Sequence, residues 1–215
     1  VDPLNEVDAL ILCEFAYIDF NLLGEKTINE RTLTIQQASK LWEEADQSAF
    51  MPSGYLHHKE AYDLLKLAAS SERFKELVIS KDIKYFSLEN VYQFGATTYS
   101  RNKQPFFIAF EGTGLRNLGW KEDLQMSYLP EIPSQKSALS FLEEHFKEYP
   151  HPISIGGHSK GGNLAIYGGM FLEHEQALIQ KIYSFDSPGF AKDLLTVEGY
   201  MNIQEKIDAF VPQDS

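Results

Sequence analysis

Ile153-Ser154-Ile155-Gly156-Gly157-His158-Ser159-Lys160-Gly161-Gly162-Asn163-Leu164-Ala165 is the stretch whose reading decides the fold. Ile153, Ser154 and Ile155 make a short apolar run of the kind that fills a buried central strand. Lys160 to Leu172 reads as a helix, so Ser159 falls on a sharp strand-to-helix turn. At such a bend the residues two positions away lie almost against the serine backbone, and glycine avoids a Cβ clash there. Gly157-x-Ser159-x-Gly161 meets that demand and is the pattern of a nucleophile elbow. Gly161, Gly162 and Ala165 thin the helix face that must pass the neighbouring strands. The helix N-terminus favours negative charge developing near Ser159.

Three fixed positions arise by chance in roughly 5–10% of chains of this size, so the bare motif decides little. Its surroundings decide more. Ser134 to Tyr149 reads as a helix, and Lys181 to Phe185 and Lys206 to Val211 read as strands. Strands alternating with helices imply a parallel sheet covered on both faces. Upstream, Val91 to Ser100 and Pro105 to Phe110 read as an antiparallel hairpin around Arg101-Asn102-Lys103-Gln104. A glycine-rich turn that is structural or binds phosphate is the rival reading. Neither Walker lysine spacing nor G-x-G-x-x-G accompanies it.

The first eighty residues read as helical. Asp2-Pro3 marks a helix start, followed by a stripe of Val7, Leu10, Ile11, Phe15 and Ile18. Thr34-x-x-Gln37 is a capping box opening a helix to about Gln47. A third helix covers His58 to Ser70 with Tyr62, Leu65 and Ala69 on one face, and Ser71 is a candidate cap for a short fourth. The pattern changes near Ile83. The expected architecture is therefore α/β: an α/β-hydrolase-like, mostly parallel sheet with helices on both faces, preceded by an N-terminal helical region. Residues 1–80 form that helical region packed on the core, and residues 81–215 form the core.

The 215 residues suffice for one sizeable core, and 43% hydrophobic with 23% charged residues is ordinary for a soluble globular chain. A net charge of −12 repels phosphate backbones, which argues against a nucleic-acid partner. No apolar run is long enough to span a bilayer. Ala9 to Phe20 is broken by Glu14 and Asp19 and lacks a basic flank, so it does not read as a signal peptide. The single cysteine, Cys13, precludes an internal disulfide, which suits a cytoplasmic location, and on an apolar face it reads as a buried small side chain. His57-His58 lacks Cys, Asp or Glu partners at metal spacing, and no metal or cofactor is expected.

From Pro105 onward the sequence resembles the class 3 lipases, and within that α/β-hydrolase group a bacterial branch with a Gly-His-Ser-Lys-Gly-Gly elbow. Four blocks carry the resemblance in the family's order: Phe110-Glu111-Gly112-Thr113; Arg116-Asn117 with Trp120-x-x-Asp123-Leu124; the elbow; and Ser184-Phe185-Asp186-Ser187-Pro188-Gly189-Phe190. It implies a serine hydrolase acting on a small-molecule acyl ester or lipid, with Ser159 as nucleophile. By the same resemblance Thr113 donates its backbone N–H, and its hydroxyl is a further candidate donor, to the oxyanion. Lys160 supplies the second N–H, and Asp123 orients the Thr113 hydroxyl. A solvated helix charge is the alternative for Asp123. Glu111 is assigned no role. A Ser–Lys dyad is discounted, because the Lys160 side chain is expected to run along the helix surface. Leu115 to Leu129, with Leu118, Trp120, Met126 and Tyr128, is either an apolar lid or a packed surface loop.

The catalytic acid should follow a strand after Ser159. The candidates are Asp186, Asp193, Asp208 and Asp214; aligning Ala209 to Asp214 with the family's strand-then-acid turn points to Asp214, Asp186 is second, and Asp208 is mid-strand. None of the six histidines follows any of these acids. His158 should project away from the serine beside it, and His174 lies about 20 Å of helical rise away. The histidine, with a last strand, is therefore expected beyond Ser215. The alternative is a non-catalytic binding protein on a degenerate hydrolase scaffold.

Overall fold

The computed structural model describes residues 3–23, 32–45, 56–87, 89, 92–114 and 117–213, and only the backbone of 56–59 and 117–120. Seven strands form one sheet in sequence order: β1 (Leu33–Thr34), β2 (Val78–Ser87), β3 (Tyr92–Arg101), β4 (Gln104–Phe110), β5 (Ile153–His158), β6 (Ile179–Phe185) and β7 (Ile207–Phe210). β1 to β4 pair antiparallel, and β4 to β7 pair parallel. The fold is α/β-hydrolase-like, and its parallel half carries the candidate site.

The expected β3–β4 hairpin closes over two residues rather than four. Asn102 and Lys103 take φ of 53° and 65°, the left-handed pair that a tight two-residue turn requires. β2 begins at Val78, ahead of the change expected near Ile83, because its burial alternates only weakly and Lys81, Asp82 and Lys84 mask the strand pattern.

The N-terminal segment departs from its reading in several ways. α1 spans Glu6–Phe15, and it is capped by Asn5, whose side chain accepts from Asp8 N while Asp8 bonds back to Asn5 N. This capping box displaces Asp2-Pro3 as the start. It also rotates the buried face onto Ala9, Leu12, Cys13 and Phe15, leaving Val7 and Leu10 exposed. Burial pushes the Cys13 thiol well above its ordinary pKa, so it stays protonated and unreactive. α2 (Ile35–Glu44) opens on the Thr34–Gln37 capping box and ends before Gln47. α3 spans Leu56–Ala69, with Tyr62 and Leu65 buried. No helix follows Ser71: residues 72–76 form turns, and Ser71 accepts from Arg73 N through its hydroxyl.

The layers follow from strand order. α5 (Pro133–Glu148) lies between β4 and β5, α6 (Lys160–Phe171) between β5 and β6, and α7 (Glu198–Ile203) between β6 and β7. Right-handed crossovers that step in one direction place every helix on one face. Ala138, Phe141, Leu164, Ala165 and Ile203 accordingly pack with Ile108, Phe110, Ile155 and Ile182. On the opposite face Phe107, Ala109, Tyr183 and Phe185 pack with α1, α2 and α3 through Leu12, Phe15, Trp42, Tyr62 and Leu65. Among the described residues no helix is long and apolar enough to cross a membrane.

Candidate active site

Ser159 sits between the end of β5 and the first residue of α6, with φ 54° and ψ −130°. A non-glycine residue is strained there. Two hydrogen bonds hold the strain: Ser159 N donates to Phe185 O at 2.8 Å, and Gly162 N donates to Ser159 O at 3.1 Å. The side chain is half-buried and makes no capping bond, so its hydroxyl is not consumed by the helix. The surrounding glycines are required by contact. A methyl on Gly157 would lie 2.2 Å from the Gly161 carbonyl carbon, and one on Gly161 would lie 2.2 Å from Phe110 O.

Residues 111–114 leave β4 directly beside this bend, since Phe110 registers with Gly157 and Gly112 sits against His158 O. Thr113 Oγ1 donates to Asp123 on α4 (Asn117–Met126), 2.8 and 2.7 Å from the two carboxylate oxygens. A hydroxyl has one proton to give. With that proton on Asp123, only the backbone N–H of Thr113 is left to meet another acceptor. Burial raises the Asp123 pKa, opposed by the Thr113 hydroxyl and the Lys160 charge and reinforced by Glu122.

The side chain of Lys160 contradicts the sequence expectation. It does not run along the helix surface but is 1% exposed, with Nζ 2.6 Å from Glu122 Oε2 and 3.0 Å from Gln93 O. The reason is that α6 is enclosed from Lys160 through Met170, which leaves its first turn no surface to follow. Nζ therefore turns to Glu122 rather than to Ser159. The Lys160 N–H, at the first position of the helix, has no intrahelical acceptor. Glu122 and Gln93 were not legible as site residues, because a Glu-Asp pair on a short polar helix reads as a solvated face.

Glu111 lies 3.5 Å from Lys84 and accepts from Gln93 Nε2 at 3.3 Å. Burial raises its pKa against the Lys84 and Lys160 charges.

His158 points away from Ser159, and its Nδ1 is 2.9 Å from the hydroxyl of Tyr17 at the end of α1. His174 is exposed beyond α6, and His145 is buried in α5. Among the described residues no hydrogen bond joins a histidine to Ser159. Asp214 and the side chains of His57 and His58 lie outside the described residues, as do those of Leu118 and Trp120. Asp186 follows β6 at φ 47°, with its N–H donated to Phe210 O. Asp208 is engaged by Lys181 Nζ at 2.9 Å from both carboxylate oxygens. The Leu115–Leu129 segment contains helix α4, on and after which Leu124 and Tyr128 are exposed.

A cavity of about 190 Å³ lies at the start of β4 and β5, between Leu12, Phe74 and Arg101, at the opposite end of these strands from Ser159. A smaller one of about 90 Å³ lies beside α6, bounded by Met126, Leu129, Asn163 and Phe190. Gly189, Phe190 and Ala191 of the loop that follows β6 line it.

The sheet, the strained serine between strand and helix, and the neighbouring β4 loop define a lipase-like fold of the α/β-hydrolase class. Residues 68–215 match the Mbeg1-like family, and the chain belongs to that family. Among solved structures the chain is similar to one titled "Crystal structure of M37 lipase", with a TM-score of 0.53 at 14% identity. The alignment covers 96% of this chain and 66% of that one, so the chain spans just under two thirds of that lipase's length. No curated protein matches.

Proposed function

We propose that this chain is the core of a serine hydrolase acting on acyl esters, with Ser159 as nucleophile. The single observation that carries the reading is the backbone of Ser159, a strained non-glycine residue at a strand–helix junction whose hydroxyl makes no capping bond to the helix it opens. Strain of this kind concentrates where chemistry needs a side chain presented at a fixed angle.

In the proposed reaction Ser159 Oγ attacks the ester carbonyl, and a histidine outside the described residues takes its proton. Asp214 orients that histidine. The tetrahedral oxyanion is held by the N–H groups of Thr113 and Lys160, with Asp123 supporting Thr113. The histidine returns the proton to the departing alcohol, and water then cleaves the acyl-enzyme. The test is labelling of full-length protein with a fluorophosphonate probe beside Ser159→Ala. The expected result is labelling of the parent alone, and equal labelling of both rejects Ser159 as the activated nucleophile.

A further inference from the structure

Buried charge is concentrated beneath the bend. Lys160 is 1% exposed and Glu122 is 0% exposed. Glu122 is shared among three elements. Its Oε2 meets Lys160 Nζ at 2.6 Å on α6 and Gln93 N at 3.4 Å on β3, and its Oε1 accepts from Ser134 N at 3.2 Å in the first turn of α5. Lys160 Nζ also donates to Gln93 O. The next residue on α4, Asp123, points to the β4 loop and holds Thr113. Consecutive helical residues diverge by about 100°, so one turn of α4 grips the elbow with one side chain and the loop with the next.

A buried ion pair is a poor source of stability, since an apolar pair of similar volume often does as well or better. Its effect here is geometric. We infer that Lys160 and Glu122 are positioning residues whose pair locks α4 against the elbow, so that Asp123 sets Thr113 in register with the Lys160 N–H. This rests on the proposed role of Ser159, and it accounts for a lysine directly after the serine without giving its amine a part in proton transfer.

The decisive variant is Lys160→Met with Glu122→Gln in full-length protein. The amide that replaces the Glu122 carboxylate can still accept from Ser134 N through its oxygen; the variant gives up only the long 3.4 Å bond from Gln93 N and the Lys160 Nζ bonds, which cuts the tie to α6. The expected outcome is a melting temperature near the parent's and fluorophosphonate labelling of Ser159 slowed by about tenfold to a hundredfold. Ester turnover should show that loss in kcat with KM little changed. Amide exchange in residues 111–114 and 121–126 should quicken by about tenfold. Unchanged exchange in a folded double variant overturns the inference whatever the labelling. Quickened exchange with unchanged labelling also overturns it, because the lock then has no bearing on Ser159. Quickened exchange in a protein whose parent does not label leaves α4 tied by the pair but removes the hydrolase reading on which positioning depends. If the double variant does not fold, Glu122→Asp keeps the charges, shortens the reach by one methylene, and carries the same expectations.

Discussion

Replacing Ser159 by glycine should make the protein more stable while removing its proposed nucleophile. Ser159 holds φ 54° and ψ −130°, and a residue with a Cβ is strained by about 1–3 kcal/mol in such a conformation. Glycine relieves that strain but gives back about 0.5–1 kcal/mol in unfolded-chain entropy. The side chain caps nothing, so no helix-capping bond is lost with it. The net expectation for Ser159→Gly is a gain of about 1 kcal/mol, which for a chain of this size raises Tm by about 2–4 °C. Ser159→Ala is the control: it removes the same hydroxyl, keeps the Cβ, and should melt within about 0.5 kcal/mol of the parent. Urea unfolding of the three proteins, with equal m-values, reads the difference directly. If Ser159→Gly is no more stable than Ser159→Ala, the bend is not strained at this residue, and the argument from strain to presentation of the hydroxyl is lost.

Gly161→Ala should cost about 3 kcal/mol or more, because the methyl would lie 2.2 Å from Phe110 O, a backbone atom fixed in the sheet. Gly189→Ala, which meets nothing within 4 Å, should change stability by no more than about 1 kcal/mol in the same urea titration. His145 is held neutral by burial, helped by the nearby Lys81 charge and opposed by Glu148, with its pKa lowered to about 4. The unfolded chain binds this proton near pH 6.5 and the folded one only near 4, so folding loses about 3 kcal/mol as pH falls through that window. His145→Phe should remove that part of the acid limb, and an unchanged pH profile of unfolding would exclude the assignment. Thr113→Val leaves the backbone N–H but removes the bond by which Asp123 sets the loop, so it should slow ester turnover by about tenfold to a hundredfold, as cutting the Lys160–Glu122 tie does. A loss well beyond about a hundredfold, toward the upper end of the roughly 10²–10³-fold size for a missing oxyanion donor, would instead assign the hydroxyl to the oxyanion.

What could be read ahead of the structure was what local pattern dictates. The strand–turn–helix around Ser159 was legible because the bend itself demands glycine: a methyl on Gly157 would meet the Gly161 backbone four residues on, whereas the contact of Gly161 with Phe110 O is supplied by the fold. The Thr34–Gln37 capping box was legible because it satisfies helix-end donors locally. The burial of Lys160 was not. Nothing in Ser159-Lys160-Gly161 says that the first turn of α6 is roofed by α4, and the partner that makes the burial tolerable lies 38 residues away on a helix that reads as surface. The stripe along α1 and just past it held at Phe15 and Ile18, which are buried, and failed at Val7 and Leu10 for a related reason. Several faces of that apolar helix could have been the buried one, and contact with the sheet selected Leu12, Cys13 and Phe15 rather than Val7 and Leu10.

The order of the strands also explains why the N-terminal helices matter to the site. A sheet whose crossovers all step the same way receives helices on one face only, so Phe107, Ala109, Tyr183 and Phe185 would otherwise meet water. α1 to α3 cover them, and in doing so bring Tyr17 to the bend. Its hydroxyl lies 2.9 Å from His158 Nδ1, next to the serine, and a methyl on Gly112 would lie 2.0 Å from that same hydroxyl. Burial raises the Tyr17 pKa well above its ordinary value, so the Tyr17 hydroxyl keeps its proton across the working pH range. The elbow is thus gripped from both sides of the sheet, by Tyr17 through His158 and by Glu122 through Lys160. Loss of α1 should therefore loosen His158, which precedes the serine, as well as expose a core face, while Lys160 stays held by Glu122.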